Sequence, residues 1–180
     1  MDESYIQRLK GIQEWLVKEF SGIRTGQATP ALLDSVKVES YGVRMPIEQL
    51  GSVGVEDART IRISPWDSSQ VPAIERAIRE ADLGVSVMSD SSGLRVIFPE
   101  LTSERRAQLV KLAKTKMEDA RVSVRSIRDD EMKVIEAAQK AGDISEDEKF
   151  SQKDTVQKAV EQSNRTLEQL FNKKESEISF

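Results

Sequence analysis

The amino-acid sequence predicts an α+β protein: an elongated antiparallel three-helix bundle interrupted by an inserted small α/β (β/α/β) domain on two hinge linkers. Three observations predict it. Residues 102–140 contain no glycine or proline and carry apolar side chains at steps of three and four, the pattern of one helix of about ten turns. Residues 31–100 switch to short alternating or β-branched runs separated by turn residues. Two further stretches, 2–24 and 145–177, are amphipathic with the helical period. A long helix with one apolar stripe needs partners to cover it, so the three helices are expected to pack together.

Taken in order, residues 2–24 predict the first helix, with Ile6, Leu9, Ile12, Leu16, Phe20 and Ile23 along its seam and Trp15 on the flank. Gly11 and Gly22 each weaken it by about 1 kcal/mol relative to alanine. Gly26 is positioned to stop it in a left-handed conformation, and Pro30 cannot continue it. The insertion begins with Val36, Val38 and Ser40 alternating as in a strand, then a turn at Tyr41-Gly42. Apolar runs follow at 47–50 and 51–55, and residues 59–63 form a β-branched strand closed by Pro65. Ser68 and Ser69 are read as caps of a short helix with Pro72 in its first turn and Ile74, Ala77 and Ile78 facing inward, ended by Leu83-Gly84. Residues 85–87 and 94–98 read as strands joined by a polar turn, and Trp66 as a core or lid residue.

The long helix carries Leu109, Ala113, Met117, Ala120, Val124 and Ile127 on its seam and ends with Lys140 and Gly142. Ser145 and Glu148 form a capping box for the last helix, whose seam runs Val156, Val160, Ser163, Leu167, Leu170, Lys174 and Ile178. The short loop at 141–144 requires these two helices to be antiparallel. The expected domains are a discontinuous bundle, 1–29 plus 102–180, and an inserted lobe, 31–100. Hinges are expected at about 26–31 (Gly26, Gln27, Thr29, Pro30) and 99–102 (Pro99, Leu101, Thr102). Two short parallel linkers restrict the lobe to hinge-like swings.

Composition excludes several chemistries. The chain has no cysteine and no histidine, which removes thiolate sites, disulfides and the commonest general base and metal ligand. The acidic start, Met1-Asp2-Glu3, lacks the features of a signal peptide, and no apolar run reaches membrane length, so a soluble cytoplasmic protein is expected. No phosphate-binding glycine loop is present, and Asp129-Asp130-Glu131 point in different directions on a helix and cannot share a proton. The chain is therefore read as a binding protein, not an enzyme, with no cofactor, metal or small-molecule substrate.

The net charge of −4 hides a local cationic stretch. Arg105, Arg106, Lys111, Lys114, Lys116, Arg121, Arg125 and Arg128 face only Glu104, Glu118 and Asp119 in the same segment. Local potential, not net charge, governs polyanion binding. Arg121, Arg125 and Arg128 stand at i, i+4 and i+7, on a stripe about 100° around the helix from the apolar seam. Arg24 closes the first helix. With aromatics at 5%, such a rail suits structured RNA read through its backbone better than stacked single strands. The rival reading is a coiled-coil adaptor whose charges only solvate it.

Several segments together resemble the ribosome recycling factor family: RTGQATPALL at 24–33, VEDART at 55–60 leading into ISPWD at 63–67, ADLG at 81–84, LTSERR at 101–106, VSVRSIR at 122–128 and ISEDE at 144–148. They occur in the family's order and span nearly the whole chain. The resemblance implies a monomer that binds large-subunit ribosomal RNA in the intersubunit space after termination. It further implies that elongation factor G and its GTP hydrolysis then drive splitting into subunits, releasing mRNA and tRNA. It carries ribosome-binding roles onto Arg24, Arg125 and Arg128, and onto Arg106 less directly, with Arg121 added by the spacing of the rail. Asp129 stands where the family usually has a second consecutive arginine, Gln27 where a basic residue is common, and Val85-Ser86-Val87 lacks the usual proline and asparagine. A divergent paralogue that binds ribosomes without splitting them is the alternative.

Overall fold

The computed structural model describes residues 4–179, which form four α-helices and six β-strands. The helices are α1 (Ser4–Ser21), α2 (Val71–Glu80), α3 (Ser103–Ala141) and α4 (Glu146–Ser179). The strands are β1 (Lys37–Ser40), β2 (Val43–Pro46), β3 (Gly51–Asp57), β4 (Thr60–Pro65), β5 (Ser86–Asp90) and β6 (Gly93–Ile97). The architecture is α+β, and the chain divides into two compact units. One holds the residues up to Phe20 and Val110–Ser176, and the other holds Ser21–Leu109 and the end of the chain from Glu177. Among the described residues no helix is long and apolar enough to cross a membrane.

The first unit is a bundle of α1 with the greater parts of α3 and α4. All six seam positions named on α3 are buried, with Ala113, Ala120 and Val124 fully so. On α4, Val156, Val160, Ser163 and Leu167 are buried against them. The buried Ser163 hydroxyl accepts a hydrogen bond from Gln13 of α1 at 3.2 Å, which satisfies the one polar group on that stretch of seam. Arg8 of α1 meets Asp130 at 3.0 Å, and Glu19 meets Lys116 at 2.9 Å, so α1 runs antiparallel to α3. Lys153 meets Glu136 at 2.7 Å, which sets α3 antiparallel to α4.

The turn between α3 and α4 follows the expected chemistry at both ends. Gly142 adopts φ +83°, its N–H donates to the Gln139 carbonyl and that of Asp143 to Ala138, the paired bonds of a Schellman ending. Ser145 then accepts from the Glu148 N–H while Glu148 accepts from the Ser145 N–H at 2.7 Å. Those bonds lower the Glu148 carboxyl from its ordinary pKa.

The second unit is built on a four-stranded antiparallel sheet in the order β3-β4-β6-β5, with α2 and the β1–β2 hairpin beside it. Ile61, Ile63, Leu94 and Val96 form the inner layer of the two central strands and pack with Ile74 and Ile78 of α2. The outer face places Arg62 directly opposite Arg95, a like-charge pair that is unfavourable by itself. Each is neutralised across a neighbouring strand, Arg62 by Asp90 at 2.6 Å and Arg95 by Glu56 at 2.8 Å. The Arg62 and Ser92 donors hold the Asp90 carboxyl well below the usual range.

Five sequence expectations are corrected. Helix α1 ends at Ser21, not near 24, and Gly26 is not in the left-handed region. Ile23, Thr25 and Ala28 are buried beyond the helix end, and the Gly26 N–H donates to Glu177, so tertiary bonds end the helix early. Tyr5 occupies the seam in place of Ile6, which is 42% exposed, because the buried row runs 5, 9, 16, 20. The strand β2 was not foreseen, since Val43-Arg44-Met45-Pro46 is only four residues long and ends in proline; it is set by a two-residue turn in which Tyr41 and Gly42 both have positive φ, the geometry that pairs Ser40 with Val43. Asp67, not Ser68 or Ser69, caps the short 3-10 turn before α2 by accepting from the Ser69 N–H. Trp66 is neither core nor lid within its unit, being 72% exposed.

Two glycines make opposite predictions. A Cβ on Gly93, whose φ is +151°, would stand 2.1 Å from the Ile63 carbonyl oxygen of the adjoining strand. Gly93→Ala is therefore expected to destabilise the protein by about 2 kcal/mol. At Gly11, inside α1, a Cβ meets nothing within 4 Å, so Gly11→Ala is expected to stabilise by about 1 kcal/mol. Urea unfolding of the two variants checks both signs.

Candidate RNA-binding surfaces

Each unit carries part of the predicted cationic site. In the first, Arg121, Arg125 and Arg128 project from consecutive turns of α3, each one position beyond a buried seam residue, Ala120, Val124 and Ile127. The seam fixes the rotation of the helix, so the stripe is held beside the packed face and open to solvent. Its members differ in their surroundings. Arg125 is exposed and makes no ion pair or hydrogen bond among the described residues. Arg121 is one-third exposed, lies 3.4 Å from Glu118, and has its Nε buried without a hydrogen-bond partner. Arg128 is held by Asp129 through both Nε (3.1 Å) and one terminal nitrogen (2.8 Å).

That last contact gives the departure at Asp129 a physical form. A single carboxylate oxygen, Oδ1, accepts both bonds and so occupies one edge of the guanidinium at which a phosphate could bind. An anion arriving on that edge of Arg128 must displace it.

In the second unit, Arg24 and Arg106 are tied to the segments expected to be hinges. Arg24 donates to the Pro99 carbonyl and lies 5.5 Å over the Phe98 ring. Arg106 donates to the Leu101 carbonyl at 3.3 Å and to the Ile178 carbonyl at 2.6 Å. Gly26 donates to Glu177, and Thr25 and Gln27 bond each other through side chain and backbone. Thr29 precedes a 3-10 turn that starts at Pro30, and its carbonyl accepts from Leu32. Thr102 caps α3, its hydroxyl accepting from the Arg105 N–H at 3.1 Å. The linker backbone is thus satisfied partly by arginines and cap residues and partly by backbone bonds such as Ala28 N–H to the Ala58 carbonyl.

Two further arginines belong to this cluster: Arg105, which the sequence placed in the cationic stretch but not among the site residues, and Arg59, which it read only as part of a strand. Arg59 receives the Phe98 N–H on its carbonyl and meets Glu100 at 3.6 Å, and Arg105 occupies the first turn of α3. Burial first, and then the positive charges of Arg105 and Arg59, lower the Arg24 pKa from its ordinary value. Arg105 could have been suspected from the E-R-R run. Arg59 could not, because only the β4–β6 pairing of Thr60 with Ile97 brings it to the linker.

The sequence model of the ribosome recycling factor family matches residues 16–178 of this chain. The chain is 44% identical to the ribosome-recycling factor of Rhodospirillum centenum, over 98% of this chain and 95% of that one. It is 45% identical to that of Carboxydothermus hydrogenoformans, over 92% and 89%. It is also similar to a solved solution structure of the ribosome recycling factor, at 36% identity and a TM-score of 0.77, over 99% of this chain and 98% of that one. A second similar structure, at 35% identity and a TM-score of 0.67 over 97% and 95%, is the Thermus thermophilus ribosome recycling factor placed with Escherichia coli elongation factor G on the E. coli post-termination complex.

The Asp129 contact is open to a direct test. Asp129→Asn frees Arg128 and removes a charge that repels phosphate, so affinity for a folded RNA is expected to rise roughly threefold at low salt, and less as salt screens the pair. Fluorescence anisotropy on a labelled RNA, with circular dichroism to confirm unchanged helicity, measures it.

Proposed function

This chain belongs to the ribosome recycling factor family, and on that premise we propose that it binds the post-termination ribosome and, with elongation factor G, splits it into subunits. The observation that carries the proposal is the collinear match along nearly the whole chain to proteins of that name. The arginine rail of α3 supports it with a chemical rationale. Arg125 and Arg128, with Arg121 beside them, grip phosphates of large-subunit ribosomal RNA in the intersubunit space, and Arg24 and Arg106 contribute from the linker region. Arginine suits that work because it stays charged at any working pH and binds phosphate through two parallel bonds. GTP hydrolysis belongs to the elongation factor, and the chain supplies binding and mechanical coupling without bond chemistry of its own. It works in the cytoplasm as a monomer. A ribosome-binding paralogue that does not split subunits is the second reading, favoured by one observation, the ion pair of Arg128 with Asp129.

Splitting of post-termination ribosomes, followed by light scattering with matched elongation factor G and GTP, tests the function. The expected outcome is splitting that requires all three components and is lost with Arg125→Ala or Arg128→Ala, variants that keep their helicity and thermal midpoint. Binding without splitting would select the paralogue, and no binding would refute both readings.

The linkers at 26–31 and 99–102 are proposed as hinges through which the inserted lobe, 31–100, swings on the bundle formed by 1–29 and 102–180. The chain has no cysteine, and the backbone bond from Gly26 to Glu177 brings those residues together. A Gly26→Cys, Glu177→Cys pair can therefore pin one linker with a single disulfide. The oxidised protein is expected to bind ribosomes but split them several-fold more slowly, with recovery on reduction. Undiminished splitting in the oxidised form would exclude movement of the Gly26 end of that linker from the splitting step.

A further inference from the structure

Three arginines from distant parts of the sequence meet on one short segment of the second unit. Arg24 follows α1, Arg59 precedes β4 and Arg105 opens α3. Each is anchored to residues 98–102. Arg24 stacks over Phe98 and donates to Pro99, the Arg59 carbonyl accepts from the Phe98 N–H at 2.8 Å, and the Arg105 backbone N–H is capped by Thr102 while its guanidinium donates to Gln108 at 3.0 Å. Arg106, with its guanidinium on the Leu101 carbonyl, lies on the same segment. Burial first, and then the positive charges of Arg105 and Arg59, disfavour the charged form of Arg24. Two carboxylates face Arg59: Asp57, whose oxygen accepts the Arg59 backbone N–H at 2.9 Å and whose pKa is lowered by that bond and also by the Arg59 charge, and Glu100. Glu100, the carboxylate paired with Arg59, sits at 3.6 Å with its side chain 82% exposed. Such an exposed pair is weak and easily displaced.

Arg105 and Arg106 also lie in the first turn of α3, where the helix dipole disfavours cations. Mutual repulsion and the dipole both oppose the arrangement in the free protein, and an anion seated among the guanidiniums relieves both. Functional sites commonly retain such local destabilisation. We propose that Arg59 and Arg105, together with Arg24, form a binding site for backbone phosphates of a folded RNA at the 98–102 segment. The proposal rests on the RNA-binding reading above and adds to it two residues outside the rail, one of them on the sheet of the second unit. Glu100 acts there as a placeholder that leaves Arg59 when phosphate arrives.

The test uses the full chain and a fluorophore-labelled RNA hairpin of arbitrary sequence, titrated at several salt concentrations. Arg59→Gln and Arg105→Gln are each expected to lose roughly fivefold to tenfold in affinity near ~0.1 M salt and to reduce the salt slope by about 0.7–0.9, the signature of one phosphate contact. Because repulsion is removed, their thermal midpoints in phosphate-free buffer are expected to stay level or rise. Arg59→Lys should restore the salt slope. Wild-type affinity and slope in both glutamine variants would overturn the proposal. So would a fall in midpoint parallel to the fall in affinity, which marks a structural role, or a slope that lysine fails to restore. Wild-type binding to ribosomal particles is measured alongside. Its absence would refute the ribosomal reading, while the hairpin titration still judges the phosphate site.

Discussion

Burial of the apolar seam of α3 is the constraint on which the rest depends. A helix of 39 residues, about 58 Å long at 1.5 Å per residue, exposes a stripe that water penalises along its whole length. Small residues at Ala113 and Ala120 let neighbouring helices approach closely, and Met117, Val124 and Ile127 fill the space between. Once that seam is covered, the rotation of α3 is fixed. The positions of Arg121, Arg125 and Arg128 relative to the packed face then follow from 3.6 residues per turn. The rail is a by-product of core packing, which makes it rigid at no further entropic cost to its backbone.

The same logic explains which features were readable in sequence. Where a local rule acted alone, it held: the α3 and α4 seams, the glycine ending at Gly142 and the capping box of Ser145 and Glu148 all appear as the residues specify. Where a distant partner intervened, the local rule lost. Gly26 had the right chemistry for a left-handed stop, yet its N–H is claimed by Glu177, 151 residues away in sequence, and α1 ends earlier. Ser68 and Ser69 were reasonable caps, but Asp67 stands one residue nearer the start of the turn and accepts more strongly. The strand β2 is four exposed or half-buried residues ending in proline, too short to be told from a loop by itself, and its turn and partner hold it.

The candidate site divides along the same line. The spacing of Arg121, Arg125 and Arg128 was visible because it is a property of one helix. The use of Arg24 and Arg106 as donors to linker and chain-end carbonyls was not, because Pro99 and Ile178 lie 75 and 72 residues away. Arg59 was invisible for the same reason. The resemblance to a known family marked Arg24 and Arg106 as residues of interest without saying what they touch, and the fold supplies the contacts.

Those contacts bear on why arginine is used at the linkers. A guanidinium presents five N–H donors around a plane, so one edge can satisfy a carbonyl while another meets an anion. Lysine has a single nitrogen, and a carbonyl bond and a phosphate bond would compete for the same point charge. Arg24 adds a ring contact to its carbonyl bond, fixing the plane of the guanidinium against Phe98. Fixing the plane lowers the entropic cost of a later bidentate contact. Residues that bind the linker backbone and residues that meet RNA therefore need not be different residues. In this fold, holding the linker backbone together and concentrating positive charge beside it are one arrangement.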